Sequence, residues 1–72
     1  MNRMVEVFKT NVQEVAESKM IVGKLLEHLP GTRINFDLSD CDRILRVEGD
    51  AVCSQTVERL VISIGYSCEA LV

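Results

Sequence analysis

The stretch SKMIVGKLLEHLPG, residues 18–31, decides the fold. Its apolar side chains recur at the i, i+3, i+4, i+7 spacing of an amphipathic helix, at Val22, Leu25, Leu26 and Leu29. Pro30 disfavours helical backbone at the residue before it, and Gly31 permits the positive φ of a sharp exit. The pattern therefore predicts a helix that ends at this point and that buries Leu26 fully in the core.

A short strand precedes this helix. Residues 3–9 contain β-branched and aromatic side chains, and their alternation predicts Val5 and Val7 on one face, with Phe8 pointing away from the helices. Residues 10–17 connect the strand to the helix. Their polar side chains offer two alternative capping boxes, Thr10 with Gln13 or Asn11 with Glu14.

A hairpin follows the helix. Residues 32–38 alternate strictly, with Ile34, Phe36 and Leu38 on one face, which is typical of a half-buried strand. Residues 39–42 form a polar turn, and residues 43–48 return with Leu45 and Val47 inward.

A second helix and a last strand complete the chain. The helix pattern lies on Val57, Leu60, Val61 and Ile64. Asp50 or Ser54 is the expected N-cap, and Gly65 the expected left-handed C-terminal residue. The last strand, residues 66–72, places Cys68 on one face with Tyr66 and Ala70.

The order β-α-β-β-α-β predicts one α+β domain over residues 1–72. Two right-handed β-α-β crossovers joined by a hairpin give a ferredoxin-like sandwich, an antiparallel sheet of order 4-1-3-2 with two helices on one face.

Composition excludes several classes of protein. A net charge of −3 argues against nucleic-acid binding, and no apolar run is long enough for a membrane span. No secretory signal is recognisable at the N-terminus, so we expect a cytoplasmic location. No nucleophile–base pair, phosphate loop or basic anion-binding loop appears, and the chain is not expected to be an enzyme. The three cysteines are an odd number without a C-x-x-C motif, which predicts free thiols.

The residues that end the helices, together with several apolar helix positions, resemble those of the heavy-metal-associated (HMA) domains of copper chaperones and metal-pumping ATPases. The matching residues are Val22, Leu26, Leu29, Pro30, Gly31, Gly49, Asp50, Ile64, Gly65 and Tyr66. The resemblance implies the fold, a partner surface around Tyr66, and a metal loop before the first helix. The two metal-binding cysteines of that family would fall at Val15 and Ser18, neither of which can supply a thiolate to Cu(I).

Other residues are candidates for a site. Cys41 lies in the hairpin turn between Asp40 and Asp42, and the three side chains could bind a divalent transition-metal ion weakly. Alternatively, Cys41 is a solvated turn residue. Cys68 is expected to be a buried small hydrophobe, and His28 with Cys53 is a candidate pair at the opposite end of the sheet.

The outer sheet face is a further candidate, because Phe8 beside Ile44 would form a small apolar patch for a partner protein. Two functions follow. The first is a non-enzymatic HMA-like domain with a degenerate loop, which binds metal weakly or docks to a metal-handling protein. The second is an interaction or regulatory module that uses the outer sheet face, self-association included, without a metal role.

Overall fold

The computed structural model describes residues 3–71 and has six elements in the predicted order. They are β1 (Met4–Thr10), α1 (Val15–His28), β2 (Arg33–Asp37), β3 (Ile44–Gly49), α2 (Ser54–Ile64) and β4 (Cys68–Leu71). Neither helix in this described part is long and apolar enough to cross a membrane.

The four strands form one antiparallel sheet in the order β2-β3-β1-β4. Read from the other edge, this is the predicted order 4-1-3-2, so the predicted α+β architecture and strand order are confirmed. β1 is a central strand, which pairs with β3 through Phe8 opposite Leu45 and with β4 through Thr10 opposite Cys68. β2 and β4 are the two edges of the sheet.

The helix ends follow from local chemistry. Leu29 leaves helical backbone at φ −128° and ψ 63°, as expected before proline, and Gly31 takes φ +83°. Gly65 ends α2 in the left-handed conformation at φ +114°, as predicted. Both predicted N-terminal caps are wrong: Cys53 rather than Asp50 or Ser54 precedes α2, and α1 begins after Glu14.

One hydrophobic cluster joins both helices to one face of the sheet. Its fully buried members are Phe8, Val12, Ile21, Leu25, Leu45, Val47, Val57 and Val61. Leu45 and Val47 therefore point inward as predicted, and Cys68 joins them at 8% exposure. The alternation of β2 is also confirmed, because Ile34, Phe36 and Leu38 are half-buried against this cluster.

The predicted orientation of β1 is wrong by one residue. Phe8 is completely buried, whereas Val5 on the opposite face is 51% exposed. Only alternate residues of a strand face the core, so β1 can bury either Phe8 or the pair of Val5 and Val7, but not both. The orientation that buries the larger Phe8 side chain removes more apolar surface from water than one that buries valines.

The buried face of α1 is also rotated from the predicted one. Ile21 and Leu25 have no exposure, whereas Leu26 is 40% exposed, so the prediction that Leu26 is fully buried is wrong. Successive helical residues stand ~100° apart, which places Ile21 and Leu26 at opposite margins of a broad apolar arc. The sheet and α2 cover the Ile21 margin and leave the Leu26 margin partly in water.

Leu25 and Leu26 therefore make a matched pair for testing the packing of α1. We expect Leu25→Ala to lower the free energy of unfolding by about 2–5 kcal/mol, because it opens a cavity at a fully buried site. Leu26→Ala should cost less than about 1 kcal/mol, since much of that side chain is already in water. Urea denaturation of both variants measures the difference. Equal losses would contradict the observed orientation of α1.

Candidate functional site

Three loops meet at one end of the sheet, which we call the loop end: residues 10–17, 39–42 and 65–67. The backbone N–H of Thr10 donates to the carbonyl of Asp42 at 3.0 Å. The N–H of Ser67 donates to the side-chain carbonyl of Asn11 at 2.9 Å. These two hydrogen bonds show that the first loop, the hairpin turn and the loop that contains Tyr66 lie at the same end of the sheet.

The two positions of the degenerate metal loop form the first turn of α1. Val15 is the first helical residue, and its side chain is 61% exposed. Ser18 lies one turn further on, is 8% exposed, and donates its hydroxyl to the carbonyl of Val15 at 2.7 Å. Neither residue presents a soft donor atom to solvent, so this turn lacks the thiolates that Cu(I) prefers.

Glu17 connects this turn to the rest of the loop end. One carboxylate oxygen accepts the backbone N–H of Glu14 at 3.1 Å and that of Gln13 at 3.3 Å. The other oxygen accepts the phenol hydroxyl of Tyr66 at 2.9 Å. The capping residues are thus Glu14 and Glu17 rather than either predicted pair, and the same carboxylate holds the aromatic ring of the last loop against α1.

The hydrogen bond between Glu17 and Tyr66 changes the pKa values of both side chains. The backbone N–H of Glu14 and then the Tyr66 hydroxyl stabilise the ionised carboxylate, which lowers the pKa of Glu17. The same hydrogen bond to Glu17 raises the pKa of Tyr66, because it stabilises the neutral phenol. Sequence reasoning missed this pair, since 49 positions separate the two residues and only the tertiary fold joins them.

The hairpin turn holds the only group of three metal-ligating side chains within residues 3–71. The ligand atoms of Asp40, Cys41 and Asp42 lie within 4.8 Å of one another, and Cys41 is exposed. Both carboxylates already have partners. Asp40 accepts the backbone N–H of Asp42 at 2.8 Å, and Asp42 lies 3.8 Å from the ammonium group of Lys9.

The residue after this turn has an unusual backbone. Arg43 takes φ +48°, a left-handed conformation that costs energy for a side chain with a Cβ. Its guanidinium donates to the carbonyl of Leu38 at 3.0 Å, and its own carbonyl accepts the hydroxyl of Thr10. These contacts fix the hairpin to the end of β1.

The predicted partner patch of Phe8 and Ile44 is wrong. Phe8 faces the helices and is fully buried, and Ile44 is only 9% exposed although it belongs to the outer-facing residues of β3. The exposed apolar side chains of the outer face are instead Val5 and Leu71, at 51% and 42% exposure. They flank Val7, which pairs with Leu71.

The other candidate thiols stand apart from the loop end or within the core. Burial raises the pKa of Cys68 to about 12, as expected for a thiol that behaves as a small hydrophobe. Cys53 is exposed at the start of α2, where the backbone N–H of Thr56 lowers its pKa. His28 lines a shallow groove with Leu60 and Ile64 in the C-terminal half of α2. The pairing of His28 with Cys53 stays a prediction.

A groove between α1 and the edge strand β2 was not predicted. Its apolar lining comes from Val15 and Val22 of α1 and from Ile34, Phe36 and Leu38. One feature of the sequence pointed to this groove, namely the alternation of apolar side chains in β2. Those side chains remain half-buried because α1 covers only part of this edge strand.

Comparison with known proteins gave no match. A scan of protein-family models, a search of curated proteins and a search of solved structures each found nothing similar to this chain. The resemblance to HMA domains thus depends on the matching residues of the sequence alone.

Replacing Tyr66 tests the contact that joins the last loop to α1. We expect Tyr66→Phe to raise the pKa of Glu17 towards its ordinary value, because the carboxylate loses one of its hydrogen bonds. The lowered pKa stabilises the fold above the unfolded-state pKa, and this stabilisation is lost as the pH falls through the folded-state pKa. The variant should therefore show a weaker pH dependence of stability in the acid range.

Carboxyl-detected NMR titration measures this change, with Asp37 as the control. The hydroxyl and N–H of Ser39 lower the pKa of Asp37, so Tyr66→Phe should leave that pKa unchanged. An unchanged pKa for Glu17 would show that the Tyr66 hydroxyl does not bind this carboxylate in solution.

Proposed function

We propose that this chain is a small, non-enzymatic, cytoplasmic domain of HMA type on a ferredoxin-like fold. In this proposal it docks to a metal-handling protein through the loop end and does not hold Cu(I) in its first loop. The three free cysteines are compatible with a reducing compartment.

The observation that carries the proposal is the chemistry of the first turn of α1. An exposed valine and a buried serine occupy the two positions where the HMA pattern requires thiolates. Glu17, which lies between them, has both carboxylate oxygens engaged by Glu14, Gln13 and Tyr66. A turn whose polar atoms are satisfied internally is suited to present a fixed surface rather than to bind an ion.

The proposed docking surface centres on Tyr66. Its ring is half-buried, and its hydroxyl is held by Glu17. A shallow depression beside it is lined by Ile62, which is 56% exposed, and by Lys9 of β1. An amphipathic aromatic side chain with an exposed aliphatic neighbour is a common centre for protein recognition.

The hairpin turn supports a second candidate role, weak binding of a divalent transition-metal ion. One thiol and two carboxylates lie close enough to share an ion. The oxygen donors and the single sulfur suit Zn(II) or Ni(II) better than Cu(I). The hydrogen bond within the turn and the nearby ammonium group of Lys9 oppose ion binding, which is why we expect it to be weak.

An interaction module without a metal role is the alternative, and the exposed side chains of the outer sheet face favour it. Val5, Val7 and Leu71 form a continuous apolar strip across β1 and β4. Charged side chains of β3 border this strip, at Arg46 and Glu48. Val5→Lys should abolish partner binding in this alternative and leave it unchanged if the partner contacts the loop end.

Restoring both thiolates tests the proposed loss of the metal loop. We expect the double variant Val15→Cys, Ser18→Cys to bind one Cu(I) per chain in competition with a strong chelator, because it supplies two thiolates one helical turn apart. The unmodified chain should bind little. The two single variants are the matched controls, and each should bind far less than the pair.

The outcomes separate two errors. If the unmodified chain already holds Cu(I) against the chelator, the interpretation of the first turn is wrong. If the double variant folds but stays inert, the assignment of Val15 and Ser18 to the metal-loop positions is wrong.

Metal titration of the reduced protein tests the hairpin. Zn(II) or Ni(II) should shift the amide resonances of residues 40–42 and promote self-association, because one hairpin supplies only one thiolate. Cys41→Ser should abolish both effects and leave the fold intact. Cys53→Ser is the matched control, since Cys53 is also exposed but lies at the start of α2. Unchanged shifts in Cys41→Ser would remove Cys41 as a ligand.

A further inference from the structure

The direction of the backbone groups in the central strands can be read from contacts at their ends. The N–H of Thr10 donates to Asp42, on the β3 side of β1. Backbone groups of alternate residues point to the same side of a strand, so Phe8 also directs its N–H and C=O towards Leu45 of β3. The N–H of Ala70, opposite Phe8, accordingly points away from β1 and donates to Glu58.

The same alternation continues to β2. Arg46 is adjacent to Leu45 and therefore points towards β2, where it pairs with Asn35. Ile34 and Phe36 must then direct their N–H and C=O groups away from the sheet. No partner for either N–H exists within residues 3–71. β2 thus presents an open row of backbone donors and acceptors.

The opposite edge of the sheet is partly protected. β4 has only four residues, and the carboxylate of Glu58 on α2 accepts the outward N–H of Ala70 at 2.8 Å. Short length and an occupied N–H are two ways in which proteins protect an edge strand from pairing. β2 is one residue longer than β4, and neither of its outward N–H groups has a partner within residues 3–71, so its edge is the more open of the two.

The sequence of β2 is complementary to itself. Arg33 and Asp37 are the first and last residues of the strand, both are exposed, and Asn35 is at its centre. When two copies of this strand pair antiparallel about Asn35, Arg33 stands opposite the partner's Asp37, and Asp37 opposite the partner's Arg33.

We propose that β2 is the interface for a second copy of this chain, in a two-fold dimer with a continuous eight-stranded sheet. Ile34 and Phe36 form backbone hydrogen bonds with the partner's Phe36 and the partner's Ile34. Arg33 and Asp37 lie at the closely spaced, non-hydrogen-bonded positions, where opposite charges attract across strands.

The position of the apolar groove agrees with this arrangement. A two-fold axis perpendicular to the sheet places the helices of both copies on the same side. The partner's α1 then faces the groove beside β2, where Val15 is 61% exposed and Val22 is half-buried. The dimer removes these side chains from water together with the free edge.

The register is specific. Two β2 strands can pair only through residues whose backbone N–H and C=O groups point away from the sheet. The strands can therefore shift relative to each other only in steps that keep such residues opposite one another. The next allowed registers place Arg33 opposite either the partner's Asn35 or the partner's Ser39, and both reciprocal charge pairs are lost. This surface shares Val15 with the loop end but is centred on β2 rather than on Tyr66. The dimer therefore does not depend on the proposed docking around Tyr66.

Charge reversal tests the interface. The unmodified chain should sediment at twice its monomer mass of 8.1 kDa at high concentration, without metal. Arg33→Asp and Asp37→Arg should each weaken dimerisation by about tenfold or more, because each variant alone creates two like-charge pairs. An equimolar mixture of the two variants should dimerise again, since both charge pairs are then attractive.

Arg59→Asp is the matched control, because it reverses an exposed charge on α2 and should leave the dimer unchanged. Amide NMR spectra verify that each variant is folded, and the mixture serves as a second check if one variant is partly destabilised. A monomeric unmodified chain at millimolar concentration would overturn the proposal. So would a dimer that Arg33→Asp does not weaken, or a mixture that stays monomeric.

Discussion

Thr10 makes three hydrogen bonds at the end of β1 in a position that is only 6% exposed. Its N–H binds the carbonyl of Asp42, its hydroxyl donates to the carbonyl of Arg43, and its side-chain oxygen accepts the N–H of Val12. Buried polar groups of this kind are costly if they are left unpaired. One side chain therefore fixes the hairpin, the central strand and the start of the first loop relative to one another. The loop end depends on this geometry, including the left-handed backbone of Arg43.

The architecture could be predicted because its determinants are local. Pro30 and Gly31 end α1, Gly65 ends α2, and the alternation of residues 32–38 marks an edge strand with one covered face. Each feature acts within a few residues, so the chain itself specifies where elements begin and end. Right-handed crossovers then leave few topologies for six such elements.

Orientation could not be predicted in the same way. The alternation of β1 allowed either Phe8 or Val7 inside, and the outcome depended on how much apolar surface the whole core could bury. The apolar arc of α1 was broader than the surface that covers it, so Ile21 rather than Leu26 was enclosed. Gly49 is the last residue of β3, and a Cβ there would lie 2.9 Å from Thr32, a contact that only the folded chain reveals.

The candidate site was predicted in outline and missed in detail for the same reason. Counting along the sequence assigned Val15 and Ser18 to a metal loop before the first helix, whereas both lie in the first turn of α1. It could not show that Glu17 receives the hydroxyl of Tyr66. That bond joins α1 to the loop after α2, and only the folded chain brings these two segments together. Contacts of this kind depend on the tertiary arrangement, which a pattern of apolar residues does not encode by itself.

The carboxylate of Glu58 on the outward N–H of Ala70 has a consequence for assembly. A sheet with two open edge strands can pair with another molecule at each edge. Every molecule added in this way leaves a new open edge, so polymerisation has no fixed end point. Here a carboxylate of α2 occupies one outward N–H of β4, whereas the outward N–H groups of β2 have no partner among residues 3–71. Pairing of two chains through β2 uses the more open edge of each chain, so growth of the sheet by strand pairing is expected to stop at two chains.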